Sequence, residues 1–475
     1  MFYQKIIKLK LSIKEMTLLA INIGNVAMQV FYLILSLSIL VILHEFGHYI
    51  TAKWFKCRVE KFYLFFDPWF SLVKKKVGDT EYGIGWLPLG GYVKISGMID
   101  ESMDKEAMQL PPKDYEFRSK PAWQRLIIML GGIIVNVLLA FVIYAMVLFV
   151  WGSQKTPNAS VKNGIWIQDS LLYKLKLQNG DNIVSINGKP IVYFEDIQKN
   201  LLSAKTVTID RVGIQRDIEM PQDLVGQLVE NKPKSGMLLM ERLPTYVGEI
   251  DQKDTSFMGQ KNGLQTLDKV ISIDSVPVNY FDEMQAALSI KKNQKVNLQI
   301  LRKGDTLNLQ ASVNEDGKIG IPPLTPMQYD SLGVFKVETK KYGFFEAIPA
   351  GIGMAINKLT DYVGQFKLIL NPKTGAYKGL GGFKAIGSIF PTQWGDWQTF
   401  WLLTGFLSIA LAFMNLLPIP ALDGGHVLFT LYEMITRRKP SEKFLEYAQV
   451  VGMVLLLVLM VYANGNDWFG WGRSH

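Results

Sequence analysis

Residues Thr17 to Leu43 form a run of 27 positions without one formal charge, and the run passes directly into His44-Glu45-Phe46-Gly47-His48. About 20 apolar residues cross a bilayer as a helix, so the pattern predicts a transmembrane helix with two histidines and a glutamate near its end. Residues four apart share a helix face, which turns His44 and His48 toward one point. Ionisable side chains are costly at membrane depth and mark functional positions there. Two histidines at this spacing grip one metal ion, and the glutamate beside the first can take a proton from a water as general base. His44 and His48 are thus candidate metal ligands, and Glu45 is the candidate base.

Two more charge-free runs follow, Leu126 to Trp151 and Trp397 to Leu422, each of 26 residues, and a shorter apolar stretch runs from Ala448 to about Asn464. The fold class expected is a polytopic α-helical membrane protein with four transmembrane helices. Lys5, Lys8, Lys10 and Lys14 precede the first run as in a signal peptide, but that run is too long and ends in the metal motif, so it is read as retained and spanning. Lys53, Lys56, Arg58 and Lys61 follow the first span, Arg118, Lys120 and Arg125 precede the second, and Arg437-Arg438-Lys439 precede the last. Basic residues at span ends favour the cytoplasmic side, which puts both of these loops there. With a net charge of +9 and no nucleic-acid-binding motif, the partner implied is anionic lipid and not nucleic acid. The lone cysteine, Cys57, excludes an intramolecular disulfide framework and a Cys-rich zinc site, so His, Asp or Glu must hold any metal.

The third long run ends in Asn415-Leu416-Leu417-Pro418-Ile419-Pro420-Ala421-Leu422-Asp423-Gly424-Gly425-His426. Two prolines remove backbone donors and break the helix, which is tolerated at membrane depth only inside protein or beside a water-filled cavity. Asp423 then offers a carboxylate where His44 and His48 need a third ligand. Two His and one carboxylate with a fourth position open is a catalytic zinc arrangement. The position six residues after His48, where an elongated motif carries a third histidine, is Trp54. Glu60 and His426 are lesser alternatives as ligands, His426 fitting better as a supporting residue. Asn415 suits either interhelical hydrogen bonding or, preferably, holding substrate or a developing oxyanion.

Between the first two spans, Trp86-Leu87-Pro88-Leu89-Gly90-Gly91-Tyr92-Val93-Lys94-Ile95 sets a glycine pair before a β-prone run. It reads equally as an ordinary hairpin or as an extended segment that pairs with a substrate backbone by strand addition. Residues 152 to about 335 contain a repeat: Leu177, Gln178, Asp181, Ser185, Ile186, Pro190, Tyr193, Phe194 and Gln198 recur 87 positions later as Leu264, Gln265, Asp268, Ser272, Ile273, Pro277, Tyr280, Phe281 and Gln285. Each copy reads as a turn, a strand, a turn with Pro, then a helix. Tyr342 to Leu370 mixes apolar residues with Lys358, Asp361 and Lys367, which suits a helix at the membrane surface or over the catalytic core. The glycine-rich Gly379 to Gly382 reads by default as flexible linker.

The two repeat copies resemble PDZ domains of the circularly permuted kind found in bacterial membrane and periplasmic proteases. Together with His44 to His48 and Asn415 to Gly425, they make the whole chain resemble the site-2 protease family. The resemblance implies an intramembrane zinc metalloprotease with one catalytic Zn2+ held by His44, His48 and Asp423, and Glu45 as base. Substrate contact falls to Asn415, Pro418, Pro420 and the strand Gly91, Tyr92, Val93 and Lys94 in a membrane-associated β region. It further implies single-span membrane protein substrates of the anti-sigma-factor type, remnant signal peptides, and a bacterial inner membrane setting with the PDZ-like pair periplasmic and the active site near the cytoplasm. The chain is expected to be a monomer. Phe65-Phe66-Asp67-Pro68-Trp69-Phe70 stands where such proteases carry a Gly-rich element. The domain reading is 1–57, N-terminal segment and first span; 58–120, cytoplasmic loop with the β region; 121–152, second span; 153–245 and 246–330, the two PDZ-like α+β domains, expected to act as a size filter; 331–396, amphipathic and linker region; 397–425, third span; and 426–475, loop, fourth span and tail. A metal transporter or a non-catalytic scaffold are the rival readings; a glutamate beside a ligand disfavours the first and an intact ligand triad the second.

Overall fold

A computed structural model describes residues 2–88, 90–98, 111–231, 237–249 and 263–471, with side chains described from residue 23 onward except at 442. The four N-terminal lysine side chains, Leu89 and His475 lie outside that set. The chain divides into two compact units, one of Met1–Gly152, Lys341–Lys367 and Gly379–His475, the other of Ser153–Lys340 and Leu368–Lys378.

In the first unit, four helices are long and apolar enough to cross a membrane: Ile23–Trp54, Ala122–Trp151, Trp397–Leu416 and Lys443–Phe469. Exposed Ile134, Leu138, Val142 and Phe149 on the second span, and Val454, Leu455, Leu457 and Val458 on the fourth, form apolar faces suited to lipid. The first helix does not stop at Leu43; it runs unbroken to Trp54, so the whole His44–His48 motif is helical. First and second spans touch backbone to backbone at Gly47 and Gly131, where a Cβ on either residue would overlap the other. Thr404 Oγ1 donates to Ser36 Oγ at 3.0 Å and Ser408 Oγ to Asn136 O at 2.7 Å, tying the third span to the first and second. Before the third span, the Tyr32 hydroxyl accepts from Gly395 N at 3.0 Å, and its ring packs on Trp394, Trp397 and Phe400.

The third span is shorter than the charge-free run. Its helix ends at Leu416, and a new helix starts at Asp423 and continues to Thr436. Pro418 and Pro420 account for the difference, since neither can donate to a helical ladder. The fourth span is longer than the apolar stretch 448–464, extending over Lys443–Phe469. Its polar end is stabilised by the segment expected to be linker: Asp467 accepts from Gly382 N at 2.9 Å and Ala385 N at 3.0 Å, Asn464 from Phe383 N at 3.2 Å, and Asn466 Nδ2 donates to Leu380 O at 2.7 Å. The glycine run is thus an ordered dock. The amphipathic helix, Phe344–Leu370, packs on the second and third spans through Gly351 against Ala145 and Tyr362 against Phe406 and Phe413.

A four-stranded sheet follows the first span: β1 (Val59–Leu64), β2 (Phe66–Val77), β3 (Thr80–Leu87) and β4 (Tyr92–Ile95), in the order β2-β3-β1-β4. β2 and β3 form a hairpin, β3 lies parallel to β1, and β4 runs antiparallel to β1. The β3–β4 hairpin alternative is therefore not what forms; β4 is an edge strand with one side unpaired in the sheet. Ala52, Cys57, Val59, Ile95, Ile128, Met129 and Val427 bury one another and seat the sheet on the spans.

The second unit contains the duplication. Its sheets have equivalent order, Ile214–Glu219, Thr206–Arg211, Asn182–Ile186, Lys189–Pro190 in one copy and Asp305–Ser312, Lys295–Arg302, Lys269–Ile273, Val276–Pro277 in the other. Both copies shift register at the same repeat position, Ile183/Ser185 and Val270/Ser272. The repeated aspartates explain why the pattern reaches beyond apolar positions. Asp181 is buried and takes Arg211 Nε at 2.7 Å and Nη2 at 2.8 Å; Asp268 is buried and takes Arg302 Nε and Nη2, both at 2.8 Å. Each carboxylate also accepts the backbone N–H of the repeated glutamine, Gln178 or Gln265.

Removing the charge of one such buried partner strands the guanidinium. Asp268→Asn should destabilise the second copy by on the order of 2–3 kcal/mol, read as faster amide hydrogen exchange over 264–312 with 177–219 protected as before. Asp181→Asn should do the reverse, and equal loss in both copies would show that they unfold as one.

Candidate metal centre

The site is assembled by three helices. His44 and His48 stand four apart on the first span, their rings 4.9 Å centroid to centroid. They lie on Gly132 of the second span, where any Cβ would run into both imidazoles. Asp423 arrives from the helix that restarts after the prolines, at its first position.

These residues converge tightly. His44 Nε2 lies 3.2 Å and His48 Nε2 3.3 Å from Asp423 Oδ2, and the two Nε2 atoms lie 3.3 Å apart. Both histidines are buried, and Asp423 Oδ2 is a buried oxygen without a hydrogen-bond partner. His48 Nδ1 lies 2.8 Å from Ile128 O, a contact only an N–H can make, which leaves Nε2 with its lone pair toward the centre. Lone-pair atoms facing one another in a dry interior repel unless a cation lies among them. Ligands on a tetrahedral ion with bonds of about 2.0–2.1 Å are about 3.3–3.4 Å apart, so the triangle has the edge length that such an ion sets. Among the described residues, His44, His48 and Asp423 are the one group of three or more His, Cys, Asp or Glu that could hold a metal.

A cavity of about 710 Å3 opens beside the triangle, and Glu45, Gly91, Tyr92, Val93, Lys94 and His426 line it together with the three candidate ligands. Asn415 Nδ2 is 3.2 Å from His44 Nε2. Gly91 lies against Glu45, so the edge strand and the candidate base share one wall. Pro418 and Pro420 are not among the lining residues; Ala421, Leu422 and Asp423 are. The prolines shape the break without facing the cavity. Glu60 is engaged elsewhere, by Ser96 Oγ at 2.7 Å and Lys94 Nζ at 3.5 Å, and His426 lines the cavity outside the triangle.

The element unlike the usual Gly-rich one, Phe65 to Phe70, fixes the edge strand. Asp67 Oδ1 accepts from the Tyr92 hydroxyl at 2.9 Å, Asp67 Oδ2 accepts from Ser71 Oγ at 2.9 Å, and Tyr92 stacks between Tyr63 and Phe66. Burial and the Asp67 carboxylate push the Tyr92 hydroxyl above its usual range, so it stays protonated and donating.

Asn136 is a polar residue inside the second charge-free run, Leu126 to Trp151. It is fully buried, with Nδ2 3.1 Å from His44 Nδ1 and Oδ1 without a partner. The signal that points to it is its spacing of four from Gly132, which puts it on the helix face that receives the imidazoles.

Residues 32–459 match peptidase family M50. The chain is 28% identical over 448 residues to a candidate zinc metalloprotease of Campylobacter jejuni, covering 91% of each chain. It is 27% identical over 468 residues to one of Treponema pallidum, covering 91% of this chain and 97% of the other. To the regulator of sigma-E protease RseP of Escherichia coli it is 26% identical over 455 residues, covering 91% of this chain and 97% of that one. Because the match takes in the helical histidine pair, the carboxylate that meets it and everything between, this chain belongs to peptidase family M50, the site-2 proteases, which are metalloproteases of the membrane.

Proposed function

We propose that the chain is a zinc-dependent endopeptidase that cuts the transmembrane segments of single-span proteins. The observation carrying this reading is the triangle of His44 Nε2, His48 Nε2 and Asp423 Oδ2 with an orphaned carboxylate oxygen, opening on a cavity that also holds Glu45. His44, His48 and Asp423 would hold a zinc ion, which would supply Lewis-acid polarisation and lower the pKa of water at the site toward neutrality. Glu45 takes the proton of the attacking water and later returns it to the leaving amine. Asn415, whose amide nitrogen already lies beside the triangle, donates to the oxyanion as it develops.

The substrate's main chain must first be freed from its own helix. Lost backbone hydrogen bonds are costly in a dry site, and the unpaired side of β4 offers a matching set by strand addition. Tyr92, held by Asp67, keeps that strand in place. Gly91, Tyr92, Val93 and Lys94 are then the strand-pairing residues, while Pro418 and Pro420 act by holding the break that carries Asp423.

His44 needs its proton on Nδ1 if Nε2 is to ligate. A half-turn of the Asn136 carboxamide gives that Nδ1–H an acceptor in Oδ1 and removes the orphan. His48 is oriented in the same way by Ile128 O.

The duplicated modules are PDZ-like, on their repeat and their shared sheet order, and their place in the chain between the second and third spans suits a filter that turns away bulky ectodomains. The basic residues flanking the spans support an orientation with the modules periplasmic and the metal site toward the cytoplasm of a bacterial inner membrane. The substrates we infer are of the anti-sigma-factor type in envelope stress, in keeping with the Escherichia coli relative's name as a regulator of sigma-E protease, with remnant signal peptides as a second class; lipid is the other partner, and the chain acts as a monomer.

Cleavage of a single-span substrate in detergent tests the reading. Glu45→Gln should lose at least about a thousandfold in rate while retaining zinc; equal rates would remove Glu45 from the chemistry, and zinc-loaded protein that cuts nothing would favour transport. Asn136→Leu should weaken zinc binding about tenfold or more by chelator competition, with Asn136→Asp restoring it; unchanged affinity would reduce Asn136 to packing. Deleting 160–325 should allow cleavage of substrates with intact ectodomains, and unchanged selectivity would count against the filter.

A further inference from the structure

The fourth span carries one polar side chain that no neighbour explains. Gln449 is buried, only 8% exposed, and it lines the metal cavity. It also lines a second cavity of about 340 Å3, walled by Arg118, Arg125, Glu433 and Lys439. Met98 and His426 are the other residues common to both linings, so Gln449 stands at the junction of the two spaces.

Its carboxamide makes no hydrogen bond to any described residue. The other carboxamides and the carboxylate farther along the same helix behave differently, since Asn464, Asn466 and Asp467 all bond to the 380–385 segment. A carboxamide held where two cavities meet, on an otherwise apolar stretch of helix, is placed for something that enters them. Local packing fixes its position. Gly452, three residues on and on the same helix face, lets the helix backbone meet Pro420 and Ala421 closely. That contact brings Gln449 beside the Ala421–Asp423 wall.

We propose that Gln449 is a substrate-binding residue whose carboxamide pairs with the main chain of the unwound segment as it passes from the metal cavity into the second one. The inference rests on the proteolytic reading above. A primary amide offers one acceptor and two donors, the complement of a peptide group, and so recognises extended main chain of any sequence. Strand addition to β4 satisfies only one edge of such a segment; the N–H and C=O groups of its other edge need partners in the same dry space. Gln449 supplies one such partner at the far end of the cavity, and Asn415 serves the end beside the metal.

The test uses the full chain in detergent and a fluorescent single-span peptide of about 25 residues with a central Gly-Ser pair. In the Glu45→Gln chain, Gln449→Leu should weaken peptide binding about tenfold while zinc content stays unchanged; in the chain retaining Glu45, the loss should fall on KM more than on kcat. Gln449→Glu, which keeps the acceptors and loses the donors, should lie between. Contact is read directly by Gln449→Cys in a Cys57→Ser chain, which should form a disulfide with cysteines at one register of the peptide's unwound segment and at no other. Unchanged binding in Gln449→Leu with zinc retained would make the amide a hydrated wall and overturn the proposal. If that variant loses zinc or fails to fold, the cysteine experiment decides, and absence of a register-specific disulfide overturns it. Should the chain with Glu45 bind the peptide without cutting it, proteolysis fails while the binding and disulfide results still judge Gln449.

Discussion

The backbone contact between the first two spans is the constraint on which the site depends. Gly47 lies inside the metal motif itself, and its partner, Gly131, is followed by the residue on which the imidazoles rest. With side chains at these positions the helices would stand apart, and His44 would lose Asn136 just as His48 would lose the Ile128 carbonyl. Both histidines owe the orientation of their Nε2 atoms to the second span and not to their own helix. The small residues therefore do more than permit packing; they bring the hydrogen-bond partners that set which ring nitrogen is free.

The third ligand follows from a different device. A continuous helix through residues 417–422 would satisfy its own backbone and carry Asp423 about two turns beyond Leu416. Pro418 and Pro420 end that possibility, and the chain restarts as a helix at Asp423. Freed backbone at that depth is tolerable because it lies in protein and beside a cavity, with Gly452 of the fourth span packed against it. The break and the cavity thus require each other: one needs a polar surrounding, and the other needs a carboxylate at its wall.

Much of this was legible in the sequence because its physics is local. Spacing of four put His44 and His48 on one face, two prolines announced the break before Asp423, and an offset of 87 residues disclosed the duplicated module. What escaped the sequence was long-range compensation. A hydropathy reading ends the fourth span near Asn464, since Asn464, Asn466 and Asp467 look like terminators; the folded chain partners all three with a segment about 80 residues earlier. Asn136 was visible as polar but not as the neighbour of a histidine 92 residues away. The parallel placement of β3 beside β1 was hidden too, because the intervening hairpin folds back over a strand whose own sequence does not name its partner.

The repeated aspartates and the groups around the metal cavity are treated differently by the fold. In the duplicated modules both repeated aspartates, Asp181 and Asp268, are closed by an arginine and a backbone amide, with nothing further to bind at that point. At the spans the pattern is the reverse: Asp423 Oδ2 lacks a hydrogen-bond partner, the Gln449 amide makes no hydrogen bond to a described residue, and one side of β4 is unpaired in its sheet, all around one cavity. Three open groups around a single cavity are where an incoming ligand can complete them. One is suited to a cation and the other two to a peptide main chain, and a hydrolytic site for an unwound helix needs both at once.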